Sequence, residues 1–185
     1  MAKASAKKRQ SREKILTTAA KLFITQGYEA VSIDDVMAEA GMTRGGFYAH
    51  FPSKASLYQE AIVTGARHMK CQMMAEPVVS TVCDLATRYF SIDKGKKSNL
   101  YCPLSFLVTD ITHRDKKVRK TYTQILEGYQ KAIRETGVDR DTAIQVSVLL
   151  IGGLALSRTV DDPTVKEDIL NNCLSAIKKL TEIPA

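Results

Sequence analysis

The stretch "AGMTRGGFYAHF", residues 40–51, decides how this chain is read. After Thr43 it has helical character, yet Gly45 and Gly46 stand side by side. Each glycine costs a helix interior about 1 kcal/mol relative to alanine. Either the segment is not a helix, or something comes very close to its backbone. Around the pair stand Arg44, Phe47, Tyr48, His50 and Phe51: a cation, three aromatic rings and a titratable imidazole.

Upstream, Ile15, Leu16, Ala19, Ala20 and Phe23 repeat at helical spacing, and Gly27 follows as a stop signal. Ser32 is a good N-cap for "SIDDVMAEAG", with Asp34 and Asp35 where the helix dipole favours acids. Ile33, Val36, Met37 and Ala40 mark one buried face, and Gly41 ends that helix. Thr43 is a second N-cap candidate, and Pro52 blocks continuation beyond Phe51.

Downstream, Ser53 caps a longer helix and Pro77 opens another to about Phe90. "DKGKKSN" is a polar, basic loop. Pro103 opens a helix through Ile111, and a long amphipathic helix ends at Gly137. Asp139 and Asp141 introduce the next, to about Arg158, and Pro163 starts the last. With no strand alternation, the reading is all-α with about nine helices. The segments expected are a basic disordered arm (1–10), a three-helix DNA-binding domain (11–53) and a C-terminal helical effector-binding and dimerisation domain (54–185).

The net charge is +7 over 185 residues. Lys3, Lys7, Lys8, Arg9, Arg12 and Lys14 crowd the first fourteen residues against one acid, Glu13. Such a segment attracts a polyanion, and as a flexible arm it could enter a DNA minor groove. The longest apolar run, "VSVLLIGGLAL", is shorter than the roughly 18 residues of a membrane span, and no signal core follows the basic start, so a cytoplasmic protein is expected. Cys71, Cys83, Cys102 and Cys173 lack metal-site spacing, and three dispersed histidines form no nucleophile–base pair. No catalytic residue, metal or cofactor is assigned.

A helix, a glycine turn and a short helix make helix-turn-helix spacing, in which the second helix enters the major groove of DNA. Gly45 and Gly46 then clear the probing turn, Phe47 and Phe51 pin it, and Arg44 has the fork that matches guanine O6 and N7. Thr43, Tyr48, His50 and Lys54 can reach phosphates.

The spaced elements F-x-x-x-G-Y, S-I-D-D-V-x-x-x-A-G, G-F-Y-x-H-F and S-K-x-x-L, over about residues 11–62, resemble the TetR family of bacterial transcriptional regulators. "YCPLSFLVTDITHRDKKVR" is similar to a segment of one subgroup. The resemblance implies a homodimer that reads a palindromic operator in double-stranded DNA, most simply as a repressor, and releases it when a small molecule binds. It places Ser32, Thr43, Tyr48, His50 and Lys54 at phosphates and Arg44, Gly45 and Gly46 at bases. "VLLIGGLALS" suits a tight helix crossing within one chain, because its small residues let backbones approach. In the architecture that the resemblance implies, it lies with the last helix at the subunit interface, through Leu149, Gly152, Gly153, Leu156, Ile169, Cys173 and Ile177.

Candidate effector-pocket residues are His68, Cys102, Phe106 and Tyr122; Met69, Met73 and Met74 serve equally as core filling. The aromatic content favours an apolar or aromatic ligand. Cys102, between the basic loop and Pro103, has surroundings that favour a thiolate open to oxidants or electrophiles. The competing reading is a small-molecule or redox-sensing helical protein that touches nucleic acid only weakly.

Overall fold

The computed structural model describes residues 2–75, 79–91 and 102–182, with side chains from residue 5 onward. Among the described residues it is all-helical. The elements are α1 (Ala2–Gln26), α2 (Ile33–Glu39), a 3-10 helix (Arg44–Ala49), α3 (Lys54–Met73), α4 (Val82–Ser91), α5 (Pro103–Phe106), a second 3-10 helix (Asp110–His113), α6 (Lys116–Arg134), α7 (Arg140–Ser157) and α8 (Pro163–Glu182).

The basic segment expected to be disordered is helical from Ala2 and continuous with the rest of α1. Nothing before Gly27 breaks a helix, and Ala, Lys, Arg, Gln and Glu are strong helix formers. Gly27 stops α1 at φ +83° and Gly41 follows α2 at φ +65°, conformations that a side chain resists. The helix expected from Pro103 to Ile111 ends at Phe106, and a separate 3-10 turn begins at Asp110. Pro77 and the Lys94, Lys96, Lys97 loop lie outside the described residues. α4 starts at Val82, behind a capping box in which Thr81 and Asp84 bond each other's backbone N–H.

The chain divides into two compact units, Met1–His68 with Tyr101–Tyr122, and Met69–Leu100 with Thr123–Ala185. In the first, Ile15, Ala19, Phe23, Val36, Met37, Phe47, Phe51, Leu57 and Tyr58 form a buried core. A polar cluster ties the 110–114 turn into it. Wholly buried Tyr58 donates its hydroxyl to the Asp110 carboxylate, which also takes the Tyr28 N–H at 3.4 Å. Arg114 lies 4.4 Å over the Tyr28 ring and donates to Glu29 at 2.8 Å. Burial, with Asp110 alongside, pushes the Tyr58 phenol above its usual range, so it stays a donor. Tyr58→Phe leaves that carboxylate short of its donor and should cost about 1.5–3 kcal/mol in urea unfolding, the range for hydrogen bonds to charged groups.

In the second unit, α7 packs against α8 and α4. Its length and composition are those of a membrane span, but Ala143, Val146, Leu150 and Leu154 sit in the protein core. Gly153 is buried where a Cβ would come 2.7 Å from Cys173 Sγ and 3.3 Å from Phe90 Cζ, so α7 and α8 cross closely there. Gly153 and Ile177, expected at a subunit interface, are interior: the first is filled by Cys173 and the second has no exposed surface. Leu149, Gly152, Ile169 and Cys173 are partly exposed. Leu156 and Val148, eight positions apart on α7, are 59% and 64% exposed.

Candidate nucleic-acid interface

α2 begins with a capping box. The Asp35 N–H donates to Ser32 Oγ at 3.1 Å, and the Asp35 carboxylate takes both the Ser32 N–H (2.8 Å) and the Ser32 hydroxyl (2.6 Å). These bonds hold the Asp35 carboxyl below its usual range. They also use the only hydroxyl hydrogen of Ser32, so a phosphate at this position would have to displace Asp35.

After α2 the chain turns through Gly41, whose N–H donates to Ala38 O, while the Met42 N–H donates to Met37 O at 2.8 Å. Thr43 holds the N-cap position in an extended conformation but makes no side-chain cap bond, unlike the cap read from sequence. The following segment is a 3-10 helix, tighter than the α-helix expected, with Gly46 N–H on Thr43 O at 3.0 Å and His50 N–H on Phe47 O at 2.9 Å.

The interior side of this short helix is Phe47, wholly buried and tilted against Phe51 with ring centroids 5.8 Å apart. The Arg12 guanidinium lies 4.7 Å over the Phe51 ring and pairs with Glu60 at 2.5 Å, clamping α1 and α3 around the segment. The other side faces out: Thr43, Arg44, Gly45 and Tyr48 are exposed, Tyr48 by 62%. A Cβ on Gly45 would meet nothing of this chain within 4 Å; one on Gly46 would meet Met37 Cε at 3.7 Å, an ordinary contact.

Arg44 is tethered to Asp34 at 2.7 Å, a partner that the sequence reading did not assign. Both groups are more than half exposed, so the pair is worth at most about 1 kcal/mol and can be exchanged for a base edge. Lys54 Nζ lies 4.2 Å over the Tyr28 ring at the start of α3. Burial, then the positive charges of Lys8 and Arg12, hold the His50 imidazole below its usual range, so it is neutral near pH 7. Its Nδ1 is buried with no partner among the described residues.

The pocket candidates are placed less coherently. Tyr122 donates its hydroxyl to Leu104 O at 2.5 Å, and Cys102 adds to the burial that pushes its phenol up. Phe106 is partly exposed and His68 is exposed on α3. Cys102 is 2% exposed, so its thiol is not the open surface group that an electrophile sensor needs.

The sequence model of the family described as "Bacterial regulatory proteins, tetR family" matches residues 15–61, which span this helix-turn-helix and the two helices that clamp it. Residues 15–61 are a TetR-family DNA-binding domain. TetR-family relatives extend over nearly the whole chain. It is 25% identical to an uncharacterized HTH-type transcriptional regulator in the lacX 3′ region of Lactococcus lactis, over 94% of this chain and 96% of that one. It is 26% identical to the HTH-type transcriptional regulator LmrA of Bacillus subtilis, over 83% and 89%. The TetR-family regulator of Cytophaga hutchinsonii has the same fold, with a TM-score of 0.77 at 16% identity over 94% and 96% of the two chains. The protein is a DNA-binding transcriptional regulator.

Proposed function

We propose that the protein is a cytoplasmic homodimeric repressor that holds a palindromic operator through the face of its 3-10 helix and releases it when a small apolar or aromatic molecule binds. One observation carries the reading: a rigidly backed segment turns Arg44, Gly45 and Tyr48 to solvent, with empty space over the Gly45 backbone. Arg44 supplies base readout; Tyr48, His50 and Lys54 supply phosphate contacts. The exposed apolar residues Val148 and Leu156, with partly exposed Leu149, Gly152, Ile169 and Cys173, favour pairing of two copies through α7 and α8. Effector release involves the region of Cys102, Phe106 and Tyr122.

The test is a gel-shift series on a palindromic fragment from the protein's own promoter and on single-base variants of it. Arg44→Ala should abolish discrimination at one base pair per half-site, worth about 1–3 kcal/mol, while sparing the rest. Asp34→Ala should act oppositely in one respect. It removes a negative charge beside the phosphates and unties Arg44, so binding tightens on all sequences while the operator's advantage shrinks. Equal loss on every variant for Arg44→Ala would remove base readout from this residue; no shift of any fragment by the wild-type protein would remove the operator reading itself.

A further inference from the structure

Resting on that operator reading, we propose that the N-terminal turns of α1 are a second DNA-contacting surface: a helical basic rod that lies along phosphates beside the half-site. Ser5 to Gln10 are all exposed, and the chain has no acid before Glu13. Among the described residues, none of the ion pairs uses Lys7, Lys8, Arg9 or Lys14.

The charges are of the wrong sign for the helix that carries them. The positive end of a helix dipole favours acids, yet α1 has none in its first turn. Lys8 and Arg12, one turn apart, also repel each other. Among the described residues nothing compensates Lys7, Lys8 and Arg9, whereas an external polyanion would.

Position selects the polyanion. The Arg12 guanidinium lies 4.7 Å over the ring of Phe51, at the end of the probing segment, and Lys8 stands one helical turn before Arg12 on α1. On the other side, Lys14 Nζ lies 3.5 Å from where a Cβ on Gly41 would stand, at the turn between α2 and the 3-10 helix. The cations of α1 therefore border the probing segment at its start and its end, and the anion they meet is the DNA it reads. Helical geometry then selects the contact. A helix with its side chains is about 10–12 Å across, and the B-DNA minor groove is about 6 Å wide, so the rod does not enter it as a flexible arm does. It tracks the backbone, adding affinity and salt dependence but no sequence preference.

The experiment uses the full-length protein, the operator fragment and a scrambled fragment, with affinities measured across a salt series. A triple variant, Lys7→Gln with Lys8→Gln and Arg9→Gln, keeps helix formers in place. If two of its three cations per subunit meet phosphates, the slope of log affinity against log salt should become shallower by about 3–4 for a dimer, because each lost contact releases no counterion. Affinity at fixed salt should fall about 10- to 100-fold, with the operator-to-scrambled ratio unchanged. Gln10→Pro keeps every cation but unwinds the turns before it, and should lose a substantial part of the same affinity.

Wild-type slope and affinity in the triple variant would overturn this inference and leave the operator reading standing. Loss of the operator-to-scrambled ratio would overturn it in favour of base readout. Full wild-type binding by Gln10→Pro, with the triple variant weakened, would overturn the rod in favour of a flexible arm. No binding by wild-type protein would instead overturn the operator reading.

Discussion

Gly45→Leu removes operator binding by about 100-fold or more, equivalent to roughly 3 kcal/mol, while leaving the melting temperature unchanged or slightly raised. The two halves of this expectation have separate causes. Gly45 is not among the glycines with positive φ, and a Cβ there would touch nothing of the chain within 4 Å. The fold therefore has no need of glycine at this position. A side chain would even restrict the unfolded chain, which is worth about 0.4–1 kcal/mol where the native conformation is compatible. What a leucine fills is the space that a DNA edge would occupy. Gly45→Ala should show the same pattern at about tenfold, a step of roughly 1.4 kcal/mol. Gel shift and thermal unfolding on the same preparations check both halves. A Gly45→Leu protein that binds as the wild type does would mean that the bare backbone serves no close approach.

The largest loss of stability is expected at Gly153. A Cβ there would sit 2.7 Å from Cys173 Sγ and 3.3 Å from Phe90 Cζ, well inside contact distance. Gly153→Ala gains helix propensity of about 1 kcal/mol but forces α8 or the Phe90 ring to move, and overpacking of this kind costs about 1–3 kcal/mol. Gly153→Val, with two more carbons and a stiff rotamer, should cost more than Gly153→Ala and lower the melting temperature by several degrees, at about 2–4 °C per kcal/mol for a chain of this size. Removing the obstacle separates sterics from any other role. Cys173→Ala deletes the sulfur, so the double variant Gly153→Ala with Cys173→Ala should recover most of the loss. If the two changes are simply additive, the crossing at Gly153 is looser than its geometry implies.

The parts of this structure that were legible in the sequence are those encoded locally. Gly27, Gly41 and Gly137 stop helices with positive φ, and Ser32 and Asp139 cap the next ones through their own side chains. Glycine, proline and short polar residues act over two to four positions, so their spacing survives in one dimension. Burial of Phe47 and Phe51 and exposure of Tyr48 likewise follow from the periodicity around the twin glycines.

What was not legible depends on partners far apart in the chain. Tyr58 and Asp110 are 52 residues apart, and their bond holds the 3-10 turn that follows α5 where one continuous helix after Pro103 is expected. Arg12, Phe51 and Glu60 meet only once α1 and α3 have packed. Asp34 and Arg44 lie ten residues apart across the Gly41 turn, and their opposite charges were the available signal for the pair. Gly153 and Ile177 are buried within one chain, because small and apolar residues suit an internal helix crossing as well as one between subunits.

α1 is a single uninterrupted helix of 25 residues, about 37 Å from end to end at 1.5 Å per residue. Near its C-terminal end Phe23 stacks on Tyr28, and its opposite end holds the basic cluster. A stiff rod of that length converts angle into distance: because α1 is packed into its unit, a turn of that whole unit by about 5° about the Gly27 end sweeps the far tip through about 3 Å. That displacement is as long as a hydrogen bond, so a small swing suffices to make or break a lysine's grip.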